Sequence, residues 1–292
     1  MPFDLPPVIQ GGPSPIWENN GFRIGDQFTT VAEYSSHARG WSDNLTIFHE
    51  ETAGGSHFID HASRQYALQQ LASYFHNGPP VILEVGCSSG LMLQSLRERF
   101  QQAVILGSDI IPSALKRLAS RMPGIPLLQF DIVHCPLPDN SVDAVVLLNV
   151  LEHIDEESDA LRQVHRILKP GGVAVIEVPA GPHLYDMYDK MLLHRRRYTL
   201  SGLETLVKQS GLKVGSKSHL GFFIYYGFRM VKKRNQHLSA LENGAIKLRV
   251  EQNIRDTGNS RFLSLLMKAE LFLGKWFYYP VGIRCLMTGI KP

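Results

Sequence analysis

The residues best placed to do chemistry begin with an acid-bearing turn, Glu84-Val85-Gly86-Cys87-Ser88-Ser89-Gly90. The apolar run Val81-Ile82-Leu83 leads into it, and a helical pattern follows from Leu91. A buried parallel strand that turns tightly into a helix presents backbone N–H groups to a nucleotide-like ligand. The dinucleotide fingerprint G-x-G-x-x-G needs glycine at 88 and 91, where this chain has Ser88 and Leu91. Gly86 and Gly90 let the backbone turn and approach a ligand without a Cβ clash, and Ser88 is small enough to keep that approach open. Asp109, Asp131 and Asn149 stand at the ends of later apolar runs. Asp109 comes about twenty residues after the turn, where a carboxylate accepts hydrogen bonds from both ribose hydroxyls. Each residue has a plainer reading: an ordinary turn, a helix N-cap, a solvated acid. Their joint occurrence at successive strand ends favours a ligand site.

A second group lies downstream. His153 follows Asn149 and Glu152, and His194 opens His194-Arg195-Arg196-Arg197-Tyr198. Imidazole titrates near neutral pH, so either histidine can act as a general base. His194 is favoured; His153 reads equally as a ring that pins its loop. Arg195 and Arg197 suit an anionic acceptor, since guanidinium binds carboxylate and phosphate in bidentate fashion. The competing reading pairs these arginines with Asp186 and Asp189. Tyr34 and Trp41 lie in an N-terminal stretch with His37, His49 and His57. They read as acceptor contacts of a lid or as packing anchors. Cys87 reads as a packed or backbone-contacting residue; no activating base is near it in sequence.

The elements that must position these residues alternate. A helix is expected over about 60–75, then a strand at 81–85, a helix at 89–99 and a strand from Ala103 ending at Ser108-Asp109. Pro112 suits the first turn of a helix over 112–120. Strands follow at 126–130 and 142–148, a helix at 156–168, a strand at 173–178, a helix at 200–209 and a strand at 213–219. Residues 222–280 read as mainly helical and aromatic-rich, and 283–290 as a strand able to pair with 213–219. Such alternation argues for a parallel sheet covered on both faces. Residues 1–25 read as an irregular arm. The chain has 292 residues, is 44% hydrophobic and 20% charged, and carries a net charge of +3. That balance is ordinary for a globular protein and too mild to argue for nucleic acid. The three cysteines form no disulfide framework and no Cys-x-x-Cys pair. With no secretory signal and no apolar run of about 18–20 residues, a cytoplasmic setting is expected.

Four segments, ILEVGCSSG, GSDIIPSAL, LLQFDIVHCPLPDNSVDAVVLLNVLEHI and LRQVHRILKPGGVAVIEVP, occur in that order within about residues 80–215. Together this stretch resembles the class I S-adenosylmethionine (SAM)-dependent methyltransferases. The softer matches HRRRYTLSGLETLVKQSGL and YYPVGIRCLMTGIKP are similar to a subgroup associated with glycan pathways. The resemblance implies an α/β fold, a seven-stranded Rossmann-like sheet with helices on both faces. It divides the chain into a lid arm at 1–59, a SAM-binding core at 60–219, a helical insertion at 220–280 and a final strand at 281–292. It implies SAM as cofactor and S-adenosylhomocysteine (SAH) as product. Glu84 would place the methionine amine, and Gly86, Cys87, Ser88 and Gly90 would cradle the carboxylate end. Asp109 and Ile110 would lie at the ribose, Asp131 and Ile132 at the adenine, and Asn149 toward the methyl donor. Asn149-x-x-Glu152-His153 with His194 resembles the Glu-x-x-Glu-His and distant His of some metal-dependent methyltransferases. Asn149 replaces the first Glu there, so no metal is expected. The expected function is methyl transfer to the oxygen of a small polar acceptor, sugar-related or otherwise anionic. The alternatives are a non-catalytic SAM-fold scaffold and a nucleotide-sugar or NAD-dependent Rossmann enzyme. The aromatic insertion suggests intramolecular packing, a homodimer interface or peripheral membrane contact.

Overall fold

Val81–Val85 (β5) is buried at every position, as a strand covered on both faces must be. A computed structural model of the chain describes residues 1–34, 57–75, 78–237 and 260–292. Around β5 the sheet contains β4 (Val31–Glu33), β6 (Val104–Asp109), β7 (Leu127–Gln129), β8 (Val142–Leu148), β9 (Leu168–Pro179), β10 (Lys213–Leu220) and β11 (Arg284–Ile290). Its order is β10-β11-β9-β8-β5-β6-β7-β4. Neighbours from β9 to β4 run parallel, and β11 is antiparallel to both β9 and β10.

Alternate residues of each central strand feed opposite faces. Leu83, Val145 and Leu147 join one core, packed by Leu161 and Val164 of α4 (Glu157–Ile167) and Leu203 and Val207 of α6 (Leu200–Gln209). Ile82, Ala144 and Val146 join the other. That face is covered by α1 (Phe58–Tyr74), α2 (Leu91–Arg99), α3 (Pro112–Arg121) and the buried Met267 of α8 (Arg261–Leu273). A short helix, α5 (Met187–Met191), precedes α6, and α7 (Tyr225–His237) lies with α8 between β10 and β11.

All seven strands read from the sequence form. Two features go beyond that reading. The sheet has an eighth strand, β4, too short to show a period. The arm read as irregular instead contains a three-stranded antiparallel sheet, β1 (Ile16–Glu18), β2 (Gly21–Ile24) and β3 (Gln27–Thr29). Its hairpins pair Glu18 with Gly21 and Ile24 with Gln27. Asn19 and Gly25, both at positive φ, supply the two-residue turns. Phe22, fully buried, anchors this small sheet to the main core, with Trp17 packed edge-on at 4.9 Å.

Candidate functional site

The chain leaves β5 toward β6 and β7, and leaves β8 in the opposite direction toward β9. Ligands of open α/β sheets bind at such a reversal, beyond the carboxyl ends of the strands. Glu84 lies one residue before the end of β5 and is 6% exposed. It accepts a hydrogen bond from the Leu93 N–H at the start of α2, while its Oε2 is buried with no partner among the described residues. Burial first, and then the nearby charge of Asp109, push its carboxyl well above the ordinary range. An orphaned buried oxygen of this kind is costly unless a ligand donor completes it.

The turn after β5 is held in an unusual conformation. Gly90 has φ 80°, and a Cβ there would sit 2.4 Å from Leu118 Cδ1, so both backbone and packing require glycine. Ser88, with φ 40°, occupies the left-handed region without being glycine. Asp109 holds it there: its Oδ2 accepts from Ser88 N–H at 2.9 Å and its Oδ1 from Ile111 N–H at 3.0 Å. Cys87 is buried in the core, where burial pushes its thiol up and leaves it inert. At the next strand ends the Ile110 carbonyl accepts from Gln129 at 3.1 Å, and Asp131 caps a 3-10 turn by accepting from Val133 N–H at 3.0 Å. Ile132, within that turn, is buried. Asn149 (φ 55°) donates to Glu177 Oε1 at 3.2 Å, and that carboxylate also pairs with Arg284.

Past β8, Leu151–His153 forms a second 3-10 turn. Glu152 is fully buried there and neither carboxylate oxygen has a hydrogen-bond partner among the described residues. Burial pushes its carboxyl up to about 8. The His153 and His194 rings meet edge to face at 4.9 Å. Glu152, His153 and His194 each offer one ligand-type atom, all within 4.8 Å of one another. A backbone bond from Arg195 N–H to the Glu152 carbonyl, 2.7 Å, ties the two segments together.

His194 Nδ1 lies 2.8 Å from Asp189 Oδ1. With Nδ1–H donating to that carboxylate, Nε2 carries the lone pair. Burial lowers the His194 pKa, and the contact with Asp189 partly opposes this. Burial alone would raise Asp189, but contacts with His194, Lys232 and Arg197 hold it well below the carboxylate range. Lys232, from α7, reaches Asp186 at 2.6 Å and Asp189 at 3.0 Å.

The arginines separate. Arg197 is buried, donating to Asp189 at 2.8 Å and to the Ala180 carbonyl at 2.7 Å. The structure thus places its guanidinium in an internal ion cluster, as the competing sequence reading had it, with its charge already matched. Arg196 pairs with Glu157, whereas Arg195 makes an open surface contact with Asp155 at 3.3 Å. Tyr34 packs against the core and donates to the Pro6 carbonyl at 3.0 Å, which satisfies its hydroxyl as an anchor. Trp41, His37 and His49 lie outside the described residues. Three residues that carry this half of the site were not singled out from the sequence: Glu152 as a buried acid, Asp189 as the partner of His194, and Lys232. Glu152 had a local signal, adjacency to His153; Lys232 had none.

Residues 83–176 match the family model described as "Methyltransferase domain". Trans-aconitate 2-methyltransferase of Acidovorax sp. (strain JS42) is 31% identical over 113 residues, 39% of this chain and 43% of that protein. Malonyl-[acyl-carrier protein] O-methyltransferase 1 of Coxiella burnetii is 27% identical over 121 residues, 41% of each chain. This chain therefore spans under half the length of these two relatives. Among solved structures, a SAM dependent methyltransferase from Archaeoglobus fulgidus gives a TM-score of 0.52 at 16% identity, covering 85% of this chain and 100% of that one. Another, from Mesorhizobium loti, gives 0.52 at 17% identity, covering 80% and 99%. These likenesses show the fold.

Proposed function

We propose that this chain, whose core is a class I SAM-dependent methyltransferase domain, transfers the methyl group of SAM to a hydroxyl oxygen of a small polar acceptor. The observation that carries the reading is the Asp189–His194 pair beside the end of β8, with His194 part-buried and its Nδ1 held 2.8 Å from the Asp189 carboxylate. When bound, SAM supplies a methyl group activated by a positive sulfur. Glu84 is suited to the amine of the cofactor, through its orphaned Oε2. The first turn of α2 offers N–H groups for a carboxylate. Asp109, at the end of β6, would accept from the ribose hydroxyls, and Asp131 and Ile132 would meet the adenine. His194 Nε2 would take the acceptor proton as the new bond forms, with Asp189 stabilising the imidazolium. Positioning supplies most of the remaining acceleration, because in-line displacement depends on holding the reacting atoms in contact and aligned. One relative is named an O-methyltransferase, which supports oxygen as the acceptor atom. For an anionic acceptor, such as a sugar acid, Arg195 is the arginine of the triplet nearest to solvent, at 45% side-chain exposure.

The test joins calorimetry with turnover. SAH should bind the wild-type chain and the His194→Gln variant equally. With an acceptor found by mass spectrometry of co-purified small molecules, His194→Gln should lower kcat by about a hundredfold or more. A folded sample that binds no SAH sinks the reading.

A second reading has one observation of its own, the convergence of Glu152, His153 and His194. Two imidazoles and a carboxylate could hold a divalent ion, which would orient an acceptor oxygen in place of a base. Turnover abolished by chelator and restored by one divalent metal selects this reading; turnover indifferent to chelator selects the first.

A further inference from the structure

Helix α8 is fixed on its inner face and, among the described residues, unpartnered on its outer one. Inside, Met267 is buried, and the Glu270 carboxylate accepts the N–H groups of Gly221, Phe222 and Phe223 at 2.6, 3.0 and 3.2 Å. The Tyr279 hydroxyl donates to the Glu270 carbonyl at 2.8 Å, which closes the segment after the helix back onto it. Outside, Phe262 (71% exposed), Leu265 (67%), Phe272 (57%) and Trp276 (65%) form one stripe at helical spacing, continued by Phe277 and Tyr278. A large apolar stripe on a rigidly held element marks an interaction surface.

Charge decides what covers it. Arg261, Lys268 and Lys275 are exposed along the same segment, and Lys275 Nζ lies 5.6 Å from the Phe272 ring. Glu270 is the one acid between residues 260 and 280, and it is buried. An isologous contact between two copies would set cations against cations with no exposed acid from this segment to answer them. An anionic bilayer answers both features. Its headgroups match the cations, and its acyl boundary receives aromatic rings, with Trp and Tyr favoured at that depth. The helix has 13 residues, and no helix among the described residues is long and apolar enough to cross a membrane, so the contact lies in the interface plane. We infer that α8 and the Lys275–Tyr278 segment dock this protein on an anionic lipid surface. This stands independently of methyl transfer.

The experiment is co-sedimentation of the full chain with vesicles of phosphatidylcholine and of a phosphatidylcholine–phosphatidylglycerol mixture. Binding is expected on the mixture, falling as salt rises. Lys268→Gln and Lys275→Gln should each weaken it about fivefold, and together about twenty-five-fold. Trp276→Ser should weaken it about tenfold or more through lost apolar burial. All three positions are exposed, so the melting temperature should not move. The Trp276 emission should shift to the blue on binding, a change absent from Trp276→Phe. The inference is overturned by absence of binding to either vesicle, or by binding that ignores both salt and the lysines. A stable dimer that Trp276→Ser dissolves, in place of vesicle binding, also overturns it.

Discussion

Asp109→Asn separates two roles that the structure superimposes. In the ligand-free chain the carboxylate staples the turn after β5 to the start of α3, through Ser88 N–H at 2.9 Å and Ile111 N–H at 3.0 Å. Hydrogen bonds to a charged group contribute about 1.5–3 kcal/mol each, against about 0.5–1.5 kcal/mol for neutral ones. The amide keeps one acceptor and turns its NH2 toward the other donor. One bond is therefore weakened and the other lost, and the ligand-free protein should lose about 2–4 kcal/mol, read as a lowered urea midpoint with unchanged slope. The ligand role adds a separate loss. If both ribose hydroxyls donate to this carboxylate, the amide again keeps one partner at neutral strength, and SAH affinity should fall by about 2–4 kcal/mol, or roughly thirty- to a thousandfold. Calorimetry on the folded variant measures this directly. Asp131→Asn is the comparison: it retains an acceptor for a single adenine amine and should cost less than about tenfold. A variant that loses stability as described yet binds SAH within about twofold of wild type would leave Asp109 a loop staple and nothing more.

The remaining expectations concern charge. Arg197→Met removes one partner from a buried cluster and should cost about 3–5 kcal/mol in urea unfolding, whereas the exposed Arg195→Ala should cost less than about 1 kcal/mol and affect only acceptor binding. Glu84 has a folded-state pKa above its unfolded value of about 4.3, so its contribution to stability is complete below that pH and is lost as pH rises through the folded pKa. Glu84→Gln should therefore flatten the decline in ligand-free stability from mildly acidic toward neutral pH, while weakening SAH binding about tenfold through loss of the charge that meets the amine. Glu152, raised to about 8, keeps a decline of its own, so the refuting result is a Glu84→Gln profile that falls as steeply as that of the wild type.

The strand-end positions of the proposed donor half were legible because each part is local. Glu84, Asp109, Asp131 and Asn149 all stand where an apolar run stops, and the runs are long enough to count. The strands that escaped notice were those of three or four residues, such as Val31–Glu33, which pair without displaying a period. The hairpins at Asn19-Asn20 and Gly25-Asp26 carried turn chemistry that was readable, but their flanking strands were too short to claim. The acceptor half was illegible for a different reason. The sequence left Arg197 open between a substrate contact and a pair with Asp186 or Asp189, and the fold alone shows it bound to Asp189 and the Ala180 carbonyl. Lys232 meets Asp189 across 43 residues and Asp186 across 46, through a helix whose docking no local pattern announces.

That difference in locality has a mechanistic consequence. Ser88, Asn149 and Leu193, three of the non-glycine residues at positive φ, border the two halves of the site. Each such residue costs about 1–3 kcal/mol and persists only when its surroundings over-determine it. Ser88 is held by Asp109 and Asn149 by Glu177, both on strands of the sheet, so the donor half is braced by the fold itself. Leu193 precedes His194, whose N–H donates to the Asp189 carbonyl at 2.8 Å and whose ring is tied to the Asp189 side chain. Asp189 is in turn held by Lys232 of the insertion. The proposed base is thus braced by an element outside the sheet. Changes in α7 can reposition His194 and its neighbours without disturbing the turn at Glu84 to Gly90. On the proposed assignment, acceptor choice can change with the insertion while the grip on the methyl donor stays the same.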